Sequence, residues 1–270
     1  MGTGRRGAVT AAAVLALVAG CGVAGGGRGG EGKDEPRADG GPHALAALDR
    51  GHLAHVELGA REVPGYAIER ASAGSAGSGT PTTRSSACRP LVVALGSRQQ
   101  PAPVASVVRT FSRTTGDRRF QGLLGTIRVS AYEGDGARAT LRGLRTAAGS
   151  CAGGFAMRTG EGQPQRFSTV TVLPAPRIGD EAVAYRLVNA AERAPSLVTV
   201  VRTGSMLSMF FATHLSDPSA VEIPQALVAA QVAKVERLDR AARPPAVPPS
   251  RLPVQAPDEG GEAGAGEAPE

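Results

Sequence analysis

The sequence predicts an α+β domain: one antiparallel β-sheet with helices packed on it, a single domain stapled by one disulfide. Three observations lead there. Strand-like runs of alternating apolar and polar residues follow one another from about residue 153 to 214, joined by loops too short for parallel crossovers. Helical apolar spacing occurs around Cys88, around Cys151 and at the C-terminal end of the region. Cys88 and Cys151 are the pair left over if the remaining cysteine, Cys21, carries a lipid.

The elements read in order as follows. "PHALAALDRG" predicts a helix over about 42–50, and "PGYAIERAS" a short strand. Residues 71–86, rich in Ser, Gly and Thr, read as a loop. "SSACRPLVVALG" reads as a short helix with Ser86 as its N-cap, Pro90 in the first turn and Gly96 at its end. Cys88, Leu91, Val92 and Leu95 then share one face. "VASVVRTFSR" has strand composition. "LLGTIRVSAY" alternates cleanly, with Leu123, Ile127, Val129 and Ala131 against Leu124, Thr126, Arg128 and Ser130. A second helix carries Ala137, Leu141, Leu144 and Ala148 on one face and leads to Cys151. Both cysteines therefore point toward the core, and an exported pair in an oxidising compartment forms a disulfide.

The strands "GFAMR", "FSTVTVLP", "EAVAYRLV" and the hairpin "SLVTVVRTGSMLSMFFATHL" come next. Val183, Tyr185 and Leu187 are expected inward, as are Leu207, Met209 and Phe211. In the closing helix, Leu227, Val228, Val232, Val235 and Leu238 lie along one face, with Pro224 in the first turn. The expected layering puts the helices on one side of the sheet.

The first forty residues carry an export signal. Arg5 and Arg6 precede an uncharged run from Gly7 to Ala19, too short to cross a bilayer as a helix. The run ends Val18-Ala19-Gly20-Cys21, small residues before a cysteine, which resembles the bacterial lipobox. That resemblance implies lipidation of Cys21 and cleavage before it; an ordinary signal peptide with a chance cysteine is the alternative. The expected division is a lipoprotein signal peptide at 1–20, a flexible Gly-rich tether at 21–41, the folded domain at 42–240, and a tail at 241–270 that is proline rich and then acidic. The tether would reach roughly 25 Å.

Composition narrows the function. Aromatics are only 3% and Trp is absent, so the core must come from Val, Leu, Ala and Ile. Between His43 and Arg240 there are 23 basic against 15 acidic residues, and only two of the chain's 30 basic residues are lysine. Such arginine, alanine, glycine and proline usage points to a high-GC genome such as an actinobacterium. A basic domain held at a membrane attracts anionic head groups or wall polymers; dispersed solvated arginine is the plainer reading. No basic run is interleaved with aromatics, which argues against nucleic acid.

"GDEAVAYR" at 179–186, "VVRTGSML" at 200–207, "LVAAQVAKVERL" at 227–238, "PGY" at 64–66 and the paired cysteines resemble the PknH-like extracellular sensor domain family of actinobacterial lipoproteins. The resemblance covers roughly residues 42–240. It implies an antiparallel sheet with helices and a cleft that takes a small ligand. It brings no catalytic residues to this sequence. Fuller members of the family have two disulfides, whereas this chain can make one.

A search for chemistry finds little. The histidines are His43, His52, His55 and His214; His52 and His55 lie near Glu57, but no recognisable metal-ligand set is completed. Nucleophile-elbow and phosphate-loop motifs are absent. The expectation is a non-enzymatic, cofactor-free lipoprotein on the extracytoplasmic side of the cell membrane, with a possible lipid or cell-wall ligand. Met206 and Phe210 are the candidate cleft residues, with Arg186 or Arg202 at the mouth to meet an anion. The alternatives are an envelope protein-interaction module or an envelope hydrolase.

Overall fold

The computed structural model describes residues 53–72, 79–115 and 119–242, all within one unit of the chain, Pro42–Glu270. The leader, Cys21, the tether, the helix expected at 42–50 and the tail beyond 242 lie outside the described residues.

Eight strands form one antiparallel sheet. They are β1 (Tyr66–Arg70), β2 (Ala105–Thr114), β3 (Phe120–Ala131), β4 (Phe155–Arg158), β5 (Pro164–Leu173), β6 (Glu181–Asn189), β7 (Pro195–Thr203) and β8 (Met206–His214). The spatial order is β1-β2-β3-β8-β7-β6-β5-β4. The sheet thus joins two meanders, β1-β2-β3 and β4 to β8, through the β3–β8 ladder, where Arg128 lies opposite Met209. The α-helices described from end to end are α1 (Arg89–Ala94), α2 (Gly136–Ser150) and α3 (Gln225–Ala242).

Strand alternation decides what each face buries. On β3, Leu123, Ile127, Val129 and Ala131 are buried, as their period of two requires. β5 departs from strict alternation. The register shifts between Phe167 and Thr169, so that Phe167 and Val170 both reach the core although they are three apart. At the β7–β8 turn Gly204 has φ +59°, and a Cβ there would strike the Asp239 carboxylate. Gly125 has an ordinary φ but lies under Phe111 and against the Phe211 carbonyl, so β3 and β8 tolerate no side chain there.

The helices do not share one side, contrary to the layering expected from the sequence. α1 and α2 cover one face, where Leu91, Val92, Leu141 and Leu144 pack with Tyr185, Leu187, Val198 and Val200. α3 covers the other, where Leu227, Val228 and Val232 meet Ile127, Val201, Phe210 and Ala212. The cause lies in β7 and β8. Consecutive residues Val198 to Thr203 and Met206 to Phe210 are all buried, and a strand apolar on both faces needs cover on both.

Cys88 and Cys151 are bonded to each other, with Cα atoms 5.9 Å apart. Cys88 is itself the N-cap of α1, without a side-chain capping bond, and Pro90 sits in the first turn. Ser86 is not the cap. Its carbonyl, rather than its hydroxyl, takes part, accepting from the Arg89 N–H at 3.3 Å. The bond to Cys151 holds Cys88 at the helix start and leaves Ser86 outside it.

The segment before β1 is strapped to α3. Gln231 Nε2 donates to the Val56 carbonyl at 2.7 Å, and Lys234 Nζ donates to the Glu57 carbonyl at 2.8 Å. Lys234 also pairs with Glu62 at 2.6 Å. Desolvation raises the Glu62 pKa, but the Gly59 N–H and Lys234 outweigh it, and the net shift is downward from 4.5. A depressed carboxylate contributes stability that is present above its unfolded pKa and lost as pH falls through the folded one. Glu62→Gln should therefore shrink the loss of thermal stability on acidifying below 4.5. An identical acid limb in both proteins, followed by circular dichroism, would discount the Lys234 pair.

The disulfide closes a loop of 63 residues. On the chain-entropy model a loop of that length is worth about 4 kcal/mol as an upper figure. The double variant Cys88→Ser, Cys151→Ser should lose roughly 2–4 kcal/mol in urea unfolding, and wild type should lose a similar amount in reductant.

Candidate functional site

α2 packs on β5, β6 and β7. α1 is only six residues long and ends at Ala94. Together they leave the sheet incompletely covered beside β8 and β3, and two adjoining cavities open there on either side of the α1 C-terminus. The first, about 380 Å³, is largely apolar, lined by Pro90, Val93, Leu144, Val200, Leu207 and Met209. The second, about 400 Å³, is more polar, lined by Thr126, Arg128, Gln165, Asn189, Phe211 and Thr213 among others. Ala94 and Met209 line both, so the two are lobes of one cleft. Each lies in the size range usual for small-ligand sites.

The polar groups of the first lobe form a small network. Tyr132 Oη donates to Gln99 Oε1 at 3.0 Å, Ser130 Oγ donates to the same oxygen at 2.9 Å, and Ser106 and Ser130 hydroxyls lie 3.0 Å apart. Desolvation pushes the Tyr132 phenol above its ordinary pKa, so it stays neutral and a donor. Arg89 stands exposed at the lobe's edge.

In the second lobe the half-buried cation is Arg128. One guanidinium nitrogen donates to the Ala94 carbonyl at 3.2 Å. Desolvation lowers its pKa, and the one charge partner that offsets this is Tyr132. Among the described residues no carboxylate pairs with it. The acid of that lobe, Glu192, is exposed on the β6–β7 turn.

The residues expected to line a cleft are elsewhere. Met206 and Phe210 are 1% and 0% exposed and line neither lobe. Phe210 is core beneath Leu227 and Val232, and Met206 packs with Val129 and Val235, both on the α3 side. Leu207, Met209 and Phe211, expected as plain core, are the β8 residues that face the cleft. The alternation along β8 is as expected; what the strand could not show is which side is left partly open.

Neither candidate arginine is at the mouth. Arg186 is exposed on β6 opposite Thr171 and Leu197, and lines neither lobe. Arg202 is 8% exposed and committed to a clamp. It pairs with Asp180 at 2.8 Å and Glu181 at 3.0 Å and donates to the Gly204 carbonyl, while Asp180 also accepts the Gly204 N–H. "GDEA" and "RTGS" are therefore the two halves of one lock across β6, β7 and the β7–β8 turn. The cleft arginine, Arg128, had a sequence signal: it sits on the polar side of the β3 alternation, amid Thr126 and Ser130.

Among the described residues, no cluster of three or more His, Cys, Asp and Glu side chains could hold a metal. His214 Nδ1 accepts the Asp217 N–H at 3.0 Å, a turn bond below β8.

The fold and site together define a sheet domain with helices on both faces and a two-lobed cleft beside the six-residue α1. Among solved structures it is similar to the extracellular domain of PknH from Mycobacterium tuberculosis, at 14% identity and TM-score 0.45, over 73% of this chain and 100% of that one. It is also similar to an uncharacterized protein (Rv0999 ortholog) from Mycobacterium smegmatis, at 13% identity and TM-score 0.33, over 74% of this chain and 99% of that one. Likeness at this level carries no statement about ligand or activity. No family model matches the chain, and no curated relative is found.

Proposed function

We propose that this protein is a cell-envelope lipoprotein. Cys21 anchors it to the outer face of the cytoplasmic membrane, and its non-catalytic, sensor-like domain binds a small amphipathic, anionic ligand in the two-lobed cleft. The observation that carries the binding role is the largely apolar 380 Å³ lobe roofed by α1 and α2, with polar groups gathered around Gln99. Apolar cavities with a few convergent polar groups are how proteins hold small molecules. The anchor rests on the lipobox-like end of the leader, Val18-Ala19-Gly20-Cys21, and no helix among the described residues is long and apolar enough to cross a membrane. A protein-docking role has less support. Among the described residues the exposed large apolar side chains are scattered: Val104 just before β2, Phe120 on β3, Val172 on β5 and Leu215 just after β8.

The purified protein should be stabilised by decanoate. At about 100 times Kd, linkage gives about 2.7 kcal/mol, a rise in Tm of roughly 5–10 °C for a domain of this size. Ala139→Trp, which fills the first lobe from α2, should abolish the shift while leaving the unliganded Tm within a few degrees. A shift that survives Ala139→Trp would place binding elsewhere, and no shift with any amphiphile would remove the reading.

Cys21→Ser should release the protein from the detergent phase or leave it unprocessed in a bacterial host. Unchanged detergent partitioning would refute the anchor.

A further inference from the structure

Arg128 projects from the middle of β3 into the second lobe, beside the wall that both lobes share. It lies opposite Met209 on β8, and Met209 lines both cavities. Its guanidinium is half-buried and spends one N–H on the Ala94 carbonyl, at the same wall. Its other N–H groups have no acceptor among the described residues. Apart from Glu192, exposed on the β6–β7 turn, the surrounding lining is uncharged but able to hydrogen-bond: Thr126, Gln165, Asn189, Ser196 and Thr213. A guanidinium left without a counter-charge in a partly desolvated site gains most from a bound anion, because charge-assisted bonds strengthen as water is excluded.

The cation and the apolar lobe are contiguous. An extended molecule can lie along the cleft with its hydrocarbon part among Val93, Leu144, Val200 and Leu207. It passes the end of α1 at Ala94, and its charged end meets Arg128. A ligand confined to either lobe would leave the other's chemistry unanswered. We infer that Arg128 is the anion-recognising residue of the cleft, selecting ligands that carry a carboxylate or phosphate at one end of an apolar chain. This rests on the binding role proposed for the cleft and adds to it the residue that sets head-group specificity and the orientation of the ligand.

A purely structural Arg128, capping the last turn of α1 through Ala94, would leave the cleft indifferent to ligand charge. The two roles separate in one titration series. Decanoate, 1-decanol and inorganic phosphate are titrated into wild type, Arg128→Gln, Arg128→Lys and Thr126→Glu by calorimetry. Wild type should prefer decanoate to 1-decanol by about tenfold or more, the size of one charge-assisted hydrogen bond. Inorganic phosphate, which cannot use the apolar lobe, should bind far more weakly than decanoate. Arg128→Gln should erase the preference while keeping the 1-decanol affinity, and Arg128→Lys should retain part of it.

Thr126→Glu keeps the Arg128–Ala94 bond and puts a carboxylate on the same strand face two residues away. It should lower decanoate affinity and spare 1-decanol, and it answers the question if Arg128→Gln does not fold. Equal affinity of wild type for decanoate and 1-decanol, or an undiminished preference in Arg128→Gln or Thr126→Glu, overturns the inference and leaves the cleft reading intact. Phosphate binding as tightly as decanoate overturns the two-lobe orientation. Failure of both decanoate and 1-decanol to bind removes the cleft reading itself.

Discussion

α1 spans six residues, Arg89–Ala94, far below the length at which a helix persists on its own propensity. The Cys88–Cys151 bond joins its first turn to the end of α2. α2 is in turn seated on the sheet by Leu141, Leu144 and Ala148. The C-terminal end of α1 is held by Arg128 through the Ala94 carbonyl. A short helix pinned at both ends can stand over a sheet without covering it, and both lobes of the cleft exist because α1 stops where it does.

The sheet meets this arrangement with two cores. Its central strands β7 and β8 are buried on both sides, with Val200 facing α2 and Val201 facing α3. The α3 side is the better sealed of the two. Phe111, Ile127 and Phe210 pack under Leu227, Val228 and Val232, and the segment before β1 is tied down by Gln231 and Lys234. The Arg202 lock closes the β7–β8 end. The open space is thus on one face, backed by the packed core under α3. Sites built on strands hold their geometry better than sites on loops.

The charge pattern gains a meaning it lacks in the sequence. The region is basic overall, but most arginines are solvated or engaged: Arg202 in its clamp, Arg145 near Glu181, Arg109 with Glu57. Arg128 differs in being half-buried beside a cavity without a carboxylate partner among the described residues. Net charge therefore bears on attraction to a surface, while the anion recognition proposed for the cleft depends on one position.

Much of the fold is legible in the sequence, because local chemistry determines it. The period-two runs of β3, β6, β7 and β8, the helical stripes of α2 and α3, the cysteine pair and the Gly204 turn follow from residue spacing, steric limits on φ and redox compartment. What sits on which side of the sheet does not follow. Alternation says that Met206 and Phe210 share one face and Leu207, Met209 and Phe211 the other, and it is silent on which face receives which helix. That depends on the β3–β8 ladder, a pairing of strands about eighty residues apart, and on where α1 ends. The same silence misplaced the cleft residues and assigned Arg202 a ligand in place of Asp180 and Glu181. A strand's own residues fix the two sets of side chains, and only the long-range pairing of strands and the docking of helices decide which set is packed and which is left a cavity.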